Sequence, residues 1–323
     1  MGLLQNPADP GYPKEYLLSR IKGRRSGLIK DWKRLIYDSA LFESAPSPKT
    51  SVLMKAKTPD GVWGNLMREY RWVYGQMNRK LREIFSPFFL YSELRTLFIC
   101  LRRLEDRKAG VLDELLNRSL LSDEMKQVLF LSSDLKAAVS GIERLFAASF
   151  KKSAGLTEVL EAEGLRGVEQ RLVEWYLAVT AGSGLHPFMK HFFSRLIDAR
   201  NSLSLYKYLR LELKAMPPVI PGGLVSETRL LGIAKRGDLV EVGKLIEELS
   251  GVPVERPDPT LVELALYRGM TKWLKKAGRD PFGVAPILDY LWRCSIEAMN
   301  LSVLYHGKDL EREAVTAELV LRE

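Results

Sequence analysis

The feature that most constrains this 323-residue chain is a helix that its sequence writes three times. In the last copy Pro286 fits a first helical turn and Gly307 the position just past a last turn, with Asp309 placed to cap a following helix. Between those marks Ile287, Leu291, Cys294, Ala298, Leu301 and Tyr305 recur at alternating steps of four and three. That spacing makes one unbroken apolar stripe on a helix. Glu297 and Asn300, three apart, share a neighbouring face.

Around Glu93 the chain carries a stripe of the same stepping, Leu90, Leu94, Leu97, Leu101 and Leu104, and around Asp198 a related one. With Glu93, Asp198 and Glu297 in register, Phe88, Phe193 and Trp292 align five residues before the acid. Thr96, Asn201 and Asn300 align three after it. The acids are 105 and 99 residues apart. The register predicts a triplicated helical unit of roughly one hundred residues, each the size of a small domain, with divisions at 1–109, 110–216 and 217–323. An acid paired with Asn or Thr one turn along is expected to hydrogen-bond a neighbouring helix and fix its register.

Together with the repeated acid-x-x-Asn helix, the chain has a Tyr-Leu-Leu-Ser-Arg-Ile opening at Tyr16, a Gly222-Gly223 start to its last third, and the run Asp-Pro-Phe-Gly-Val-Ala-Pro-Ile-Leu-Asp-Tyr-Leu from Asp280. These resemble the C subunit of prokaryotic A/V-type rotary ATPases, the counterpart of eukaryotic subunit d. The resemblance covers nearly the whole chain and is strongest in its last forty residues. Two departures stand out: Thr96 replaces Asn in the first copy, and Arg195 and Ser202 lie on the apolar stripe of the second. The resemblance implies a funnel of three helical units around a pseudo-threefold axis. It implies a non-catalytic central-stalk subunit, without cofactors, that couples a shaft of subunits D and F to the membrane ring of c/K-type proteolipid subunits for proton or sodium transport. Such a protein is peripheral, on the cytoplasmic side of the membrane.

The chain is 46% hydrophobic, enough for a large core, and carries a formal charge of +9. Arg20, Arg24, Arg25, Lys33 and Arg34 crowd the first helical region, and Lys272, Lys275, Lys276 and Arg279 end a helix in the last third. Each cluster reads as a solvated face, the second also suiting a helix C-terminus. The overall excess points to an anionic neighbour such as lipid headgroups, with the first cluster as its contact surface. Apolar runs such as Leu97 to Leu101 stop well short of the roughly 18 residues a membrane span requires. The N-terminus lacks the basic start and apolar run of a signal peptide, so a cytoplasmic product is expected. Cys100 and Cys294 belong to no metal or redox motif and are expected to be buried thiols.

In chain order, long helices are expected over Tyr12 to Ser39, with Gly23 and Gly27 marking a kink, and over Trp63 to Glu83. Pro87 then separates the second from the first repeat helix. Ser122 is placed to cap a helix running to Lys152, Pro187 opens the second repeat helix, and Met216 to Gly223 is the clearest boundary, with the glycine pair as a flexible restart. Thr260 and Glu263 form a capping box. No alternation typical of a strand occurs, so the fold class is all-α.

Catalytic chemistry finds no constellation. His186, His191 and His306 form no ligand or base cluster, and no phosphate loop or nucleophile elbow is present. A rival reading is a basic helical scaffold that binds nucleic acid. It lacks interleaved aromatic and basic residues and any recognised module, so no nucleic-acid partner is expected.

Overall fold

The computed structural model describes residues 2–37, 51, 53–55, 58–106, 112–253, 258–307 and 310–320. Asp309, the proposed cap, lies outside them. The chain divides into two compact units, Met1–Lys14 with Tyr70–Met189, and Glu15–Glu69 with Lys190–Glu323. Fourteen α-helices occur among the described residues, and extended pairing there is confined to an isolated antiparallel bridge between Leu4 and Leu121. The all-α reading holds.

The long first helix is broken into α1 (Lys14–Arg25) and α2 (Trp32–Tyr37). Turn bonds from Gly27 N–H to the Arg24 carbonyl and from Leu28 N–H to the Arg25 carbonyl end α1, so the glycines mark a break rather than a kink. Helix α3 (Pro59–Gln76) is followed by α4 (Arg79–Glu105), whose N-cap is Asn78, accepting from Leu81 N–H at 3.0 Å. Pro87 therefore lies inside α4 and separates nothing. Burial of Phe85, Phe88 and Phe89 around it outweighs the lost helical hydrogen bond, and its carbonyl accepts from the Tyr176 hydroxyl at 2.7 Å.

In the first unit α4 packs with α5 (Leu112–Arg118), α7 (Leu135–Phe150) and α8 (Leu156–Ala181). Tyr70, Tyr74, Phe88 and Phe89 meet edge to face with centroids 5.1 to 5.8 Å apart. Helix α4 contains an 18-residue window apolar enough for a membrane span, yet 56% of it is buried inside the protein, as in the core helix of a soluble fold. Ser122 caps α6 (Asp123–Leu131) as expected, but Asp134 caps a new helix, α7, so the stretch to Lys152 is two helices. Helix α8 bends at Gly164, where φ is 70°.

The second unit contains α9 (Pro187–Arg210) from Lys190 onward, α10 (Glu227–Arg236), α11 (Leu239–Ser250), α12 (Pro259–Ala277), α13 (Ala285–His306) and α14 (Arg312–Ala317). Asp258, not Thr260, caps α12; it accepts from Thr260 N–H at 2.8 Å, since Pro259 occupies the first turn and moves the cap two places earlier. Helix α13 is buried on almost every side, including Ile287, Leu291, Cys294, Ala298 and Leu301 of the stripe. The α9 residues Leu205 and Tyr206 form a second cluster with α10, α11 and α12.

Candidate functional site

The repeat-register acids are all buried, and each directs its carboxylate at a loop rather than at a neighbouring helix. In the first unit Glu93 Oε1 accepts from Leu120 N–H at 2.5 Å and Oε2 from the Ser119 hydroxyl at 2.9 Å. Thr96 also hydrogen-bonds this carboxylate. The same loop is tied on its far side to the N-terminal segment: Gln5 N–H donates to the Leu120 carbonyl at 2.8 Å and Ser122 N–H to that of Leu3 at 2.9 Å. Burial raises the Glu93 pKa, against the lowering effect of its donors.

In the second unit Asp198 Oδ2 accepts from Leu224 N–H and Oδ1 from Val225 N–H, both at 3.0 Å. Burial again raises the carboxyl pKa, opposed by these two amides. Asn201 holds the same loop at two points, its amide donating to the Ile220 carbonyl and its oxygen accepting from Ile220 N–H, both at 2.9 Å. Ser194 adds a hydroxyl bond to the Gly222 carbonyl at 2.7 Å. The glycine pair expected as a flexible restart is held in place. Gly222 has a φ of 98°, which favours glycine, and a Cβ at Gly223 would overlap Asp198 Oδ1. Closeness to the carboxylate is what requires glycine there.

Also in the second unit, Glu297 Oε2 accepts from Ile29 N–H at 2.8 Å and Oε1 from the Ser51 hydroxyl. Asn300 repeats the two-point grip of Asn201, donating to the Val320 carbonyl at 3.1 Å and accepting from Val320 N–H at 3.0 Å. The gripped backbone lies 19 residues beyond Asn201 and 20 beyond Asn300. Thr96, without an amide, cannot make this paired bond and turns to Glu93 instead.

The departures on the second stripe are accommodated differently. Arg195 lies over the Trp273 ring at 5.4 Å and donates to the Leu249 carbonyl at 3.2 Å, whereas the fully buried Ser202 hydroxyl finds no acceptor among the described residues. The His191 ring lies tilted by 34° against Trp273 with centroids 5.0 Å apart, and burial with nearby Arg195 lowers its pKa. His186 accepts from Phe188 N–H at 3.3 Å, at the start of α9.

The five basic residues singled out at the N-terminal end separate. Arg24 pairs with buried Glu69 at 2.6 Å, and Arg25 with buried Asp289 at 3.2 Å. Arg20 bonds the Tyr16 hydroxyl at 2.7 Å, and Lys33 and Arg34 are exposed on α2. The acids of this network were missed by sequence reasoning. Glu69 also accepts from the Tyr290 hydroxyl at 2.7 Å, and Asp289 from Arg293 Nε at 2.7 Å. Only the four-residue spacing of Asp289 and Arg293 was legible beforehand. Cys100 and Cys294 are buried free thiols, and burial pushes the Cys100 thiol up to about 12.

These arrangements hold loops to helices and leave the carboxylates occupied by internal donors. Among the described residues no three His, Cys, Asp or Glu side chains gather as metal ligands would. A family described as the ATP synthase (C/AC39) subunit matches residues 61–317, a span that includes all six repeat-register positions. No curated protein matches the chain.

Proposed function

Because this chain belongs to the ATP synthase (C/AC39) subunit family, we propose that it is the non-catalytic central-stalk subunit of an A/V-type rotary ATPase. In this reading it joins a D–F shaft to the membrane rotor ring from the cytoplasmic side and transmits torque between them during proton or sodium transport. Its three divisions, 1–109, 110–216 and 217–323, form similar helical units around a funnel.

The observation that carries the reading is the recurring loop clamp. Glu93 and Asp198 each bind backbone N–H groups 26 or 27 residues further on, and Asn201 and Asn300 grip backbone 19 or 20 residues on. Recurrence of such spacings supports a triplicated unit. A torque-bearing coupling must be stiff, and tying loops to long buried helices through two-point bonds suppresses the local opening that loops otherwise allow.

The test is size-exclusion co-elution of the purified chain with the D–F shaft of the same organism, in nuclease-treated samples at physiological salt. A one-to-one-to-one complex is expected. Failure to bind either the shaft or the rotor ring would overturn the coupling role.

A further inference from the structure

In the second unit, two basic clusters far apart in sequence converge on one carboxylate. The α1 residue Arg25 reaches Asp289 Oδ2 at 3.2 Å, and the α12 C-cap Gly278 lies against the same side chain, its Cβ position 3.2 Å from that oxygen. The end of α1 therefore sits beside the α12–α13 loop. Around this point Lys22, Lys275, Lys276 and Arg279 are exposed and Arg25 is half-buried. Lys272 is set apart, its ammonium lying near Gly251 at the end of α11. Of the acids beside the patch, Asp289 is buried under Arg25 and Arg293, and the exposed Asp280 accepts from Phe282 N–H at 3.0 Å.

That last bond shapes the loop tip. Asp280 closes an Asx turn over Pro281 and Phe282, and a Cβ at Gly283 would lie 2.6 Å from the Asp280 carboxylate, so the turn is tight. The turn projects Phe282, at 78% exposure the most exposed large apolar side chain among the described residues. A solvated helix end explains lysines but gives no reason to present an aromatic ring among them. An anionic bilayer surface accounts for both. Cations are drawn to acidic headgroups, and an aromatic side chain gains by entering the interfacial layer beneath them.

We propose that the Lys22, Arg25, Lys275, Lys276 and Arg279 patch with Phe282 at its tip is a docking surface for an anionic lipid bilayer. The proposal rests on the peripheral-membrane reading above for its setting, and differs from the N-terminal contact surface in centring on the α12–α13 loop. Charge complementarity favours an anionic surface, and a ring projecting among the cations fits the interfacial layer of a bilayer.

The test is flotation of the full chain with phosphatidylcholine vesicles prepared with and without phosphatidylserine. Binding should require phosphatidylserine, and the Lys275→Ala/Lys276→Ala variant should lose roughly 25-fold in partitioning, about fivefold per cation. Phe282→Ser should weaken binding severalfold and abolish the part that survives high salt. All three side chains are exposed, so an unchanged thermal melt confirms that the variants fold. Absence of vesicle binding, equal binding to both vesicle types, or wild-type binding by the double-lysine variant would overturn the assignment. So would tighter binding to an oligonucleotide than to vesicles with no effect of Phe282→Ser. Co-elution of the same variants with the D–F shaft separates the two readings: intact shaft binding with no lipid binding rejects the docking surface alone.

Discussion

Replacing Gly223 by alanine tests whether the loop clamp depends on closeness. The backbone at Gly223 is open to any L-residue, because positive φ is confined to its neighbour Gly222. On chain entropy alone the alanine would stabilise by about 0.4–1 kcal/mol. The added methyl, however, overlaps Asp198 Oδ1 and lies 3.2 Å from Asp198 Cγ and 3.3 Å from Ile197 Cγ2. Asp198 is fully buried and accepts from two amides, so withdrawal of the carboxylate costs two charge-assisted hydrogen bonds of about 1.5–3 kcal/mol each. With partial relaxation of the turn and the entropic gain subtracted, a net loss of about 3 kcal/mol is expected. The assay is urea unfolding of the full chain, run as a double-mutant cycle with Asp198→Ala. Once the carboxylate is gone, its overlap with the new methyl is relieved and the Ile197 contact at 3.3 Å remains, so the alanine should cost less than about 1 kcal/mol. Amide exchange at Leu224 and Val225 should accelerate in Gly223→Ala alone. Equal costs in the two backgrounds, or stabilisation by Gly223→Ala with Asp198 intact, would refute the reasoning.

Substitutions at Glu93, at Asn201, Asn300 and Thr96, and at Gly269 probe the same architecture. Glu93→Ala orphans the Leu120 amide and the Ser119 hydroxyl beside a cavity and should cost about 3–5 kcal/mol in chemical unfolding, whereas Glu93→Gln, which keeps an acceptor, should cost less than about 2. Because burial raises the folded-state pKa of Glu93, the folded chain binds the proton more tightly, and this contribution is complete below the unfolded value of about 4.3 and lost as pH rises through the folded one. Stability of Glu93→Gln relative to wild type should therefore improve as pH rises through that window; a flat difference would count against it. Asn201→Ala and Asn300→Ala each strip a buried backbone segment of two bonds and should cost about 2–4 kcal/mol, against less than about 1.5 for Thr96→Ala, which releases no such segment. Gly269→Ala places its methyl into Ser250 Cα and 2.8 Å from the Leu249 carbonyl oxygen, backbone atoms that cannot rotate aside, and should lower the melting temperature with a cost of about 1–3 kcal/mol despite alanine's better helix propensity; a raised melting temperature would contradict this.

Much of the fold was legible in the residues because helical structure is a local property. The stripe from Ile287 to Leu301, the Ser122 cap, the start at Pro187 and the helix-free stretch from Met216 to Gly223 each follow from side chains within a few turns of one another. Local reading failed where tertiary burial overrode it. Pro87 is carried within α4 by the aromatic side chains packed around it, and Asp134 starts a helix inside a run whose apolar period hardly falters.

The sequence by itself determined that this is an all-helical chain with an acid, and an amide or hydroxyl three residues later, at three related places. Only the tertiary structure decided what those side chains hold. Glu93 takes a loop amide 27 residues downstream, whereas Glu297 takes one 268 residues upstream, and identical helical spacing cannot encode that difference. The same holds for Asp289, which gathers Arg25 and the end of α12 around one buried charge. A side chain's face is set by its neighbours along the helix, but its hydrogen-bond partner is set by where the rest of the chain passes, and a buried carboxylate takes whichever donors that path delivers.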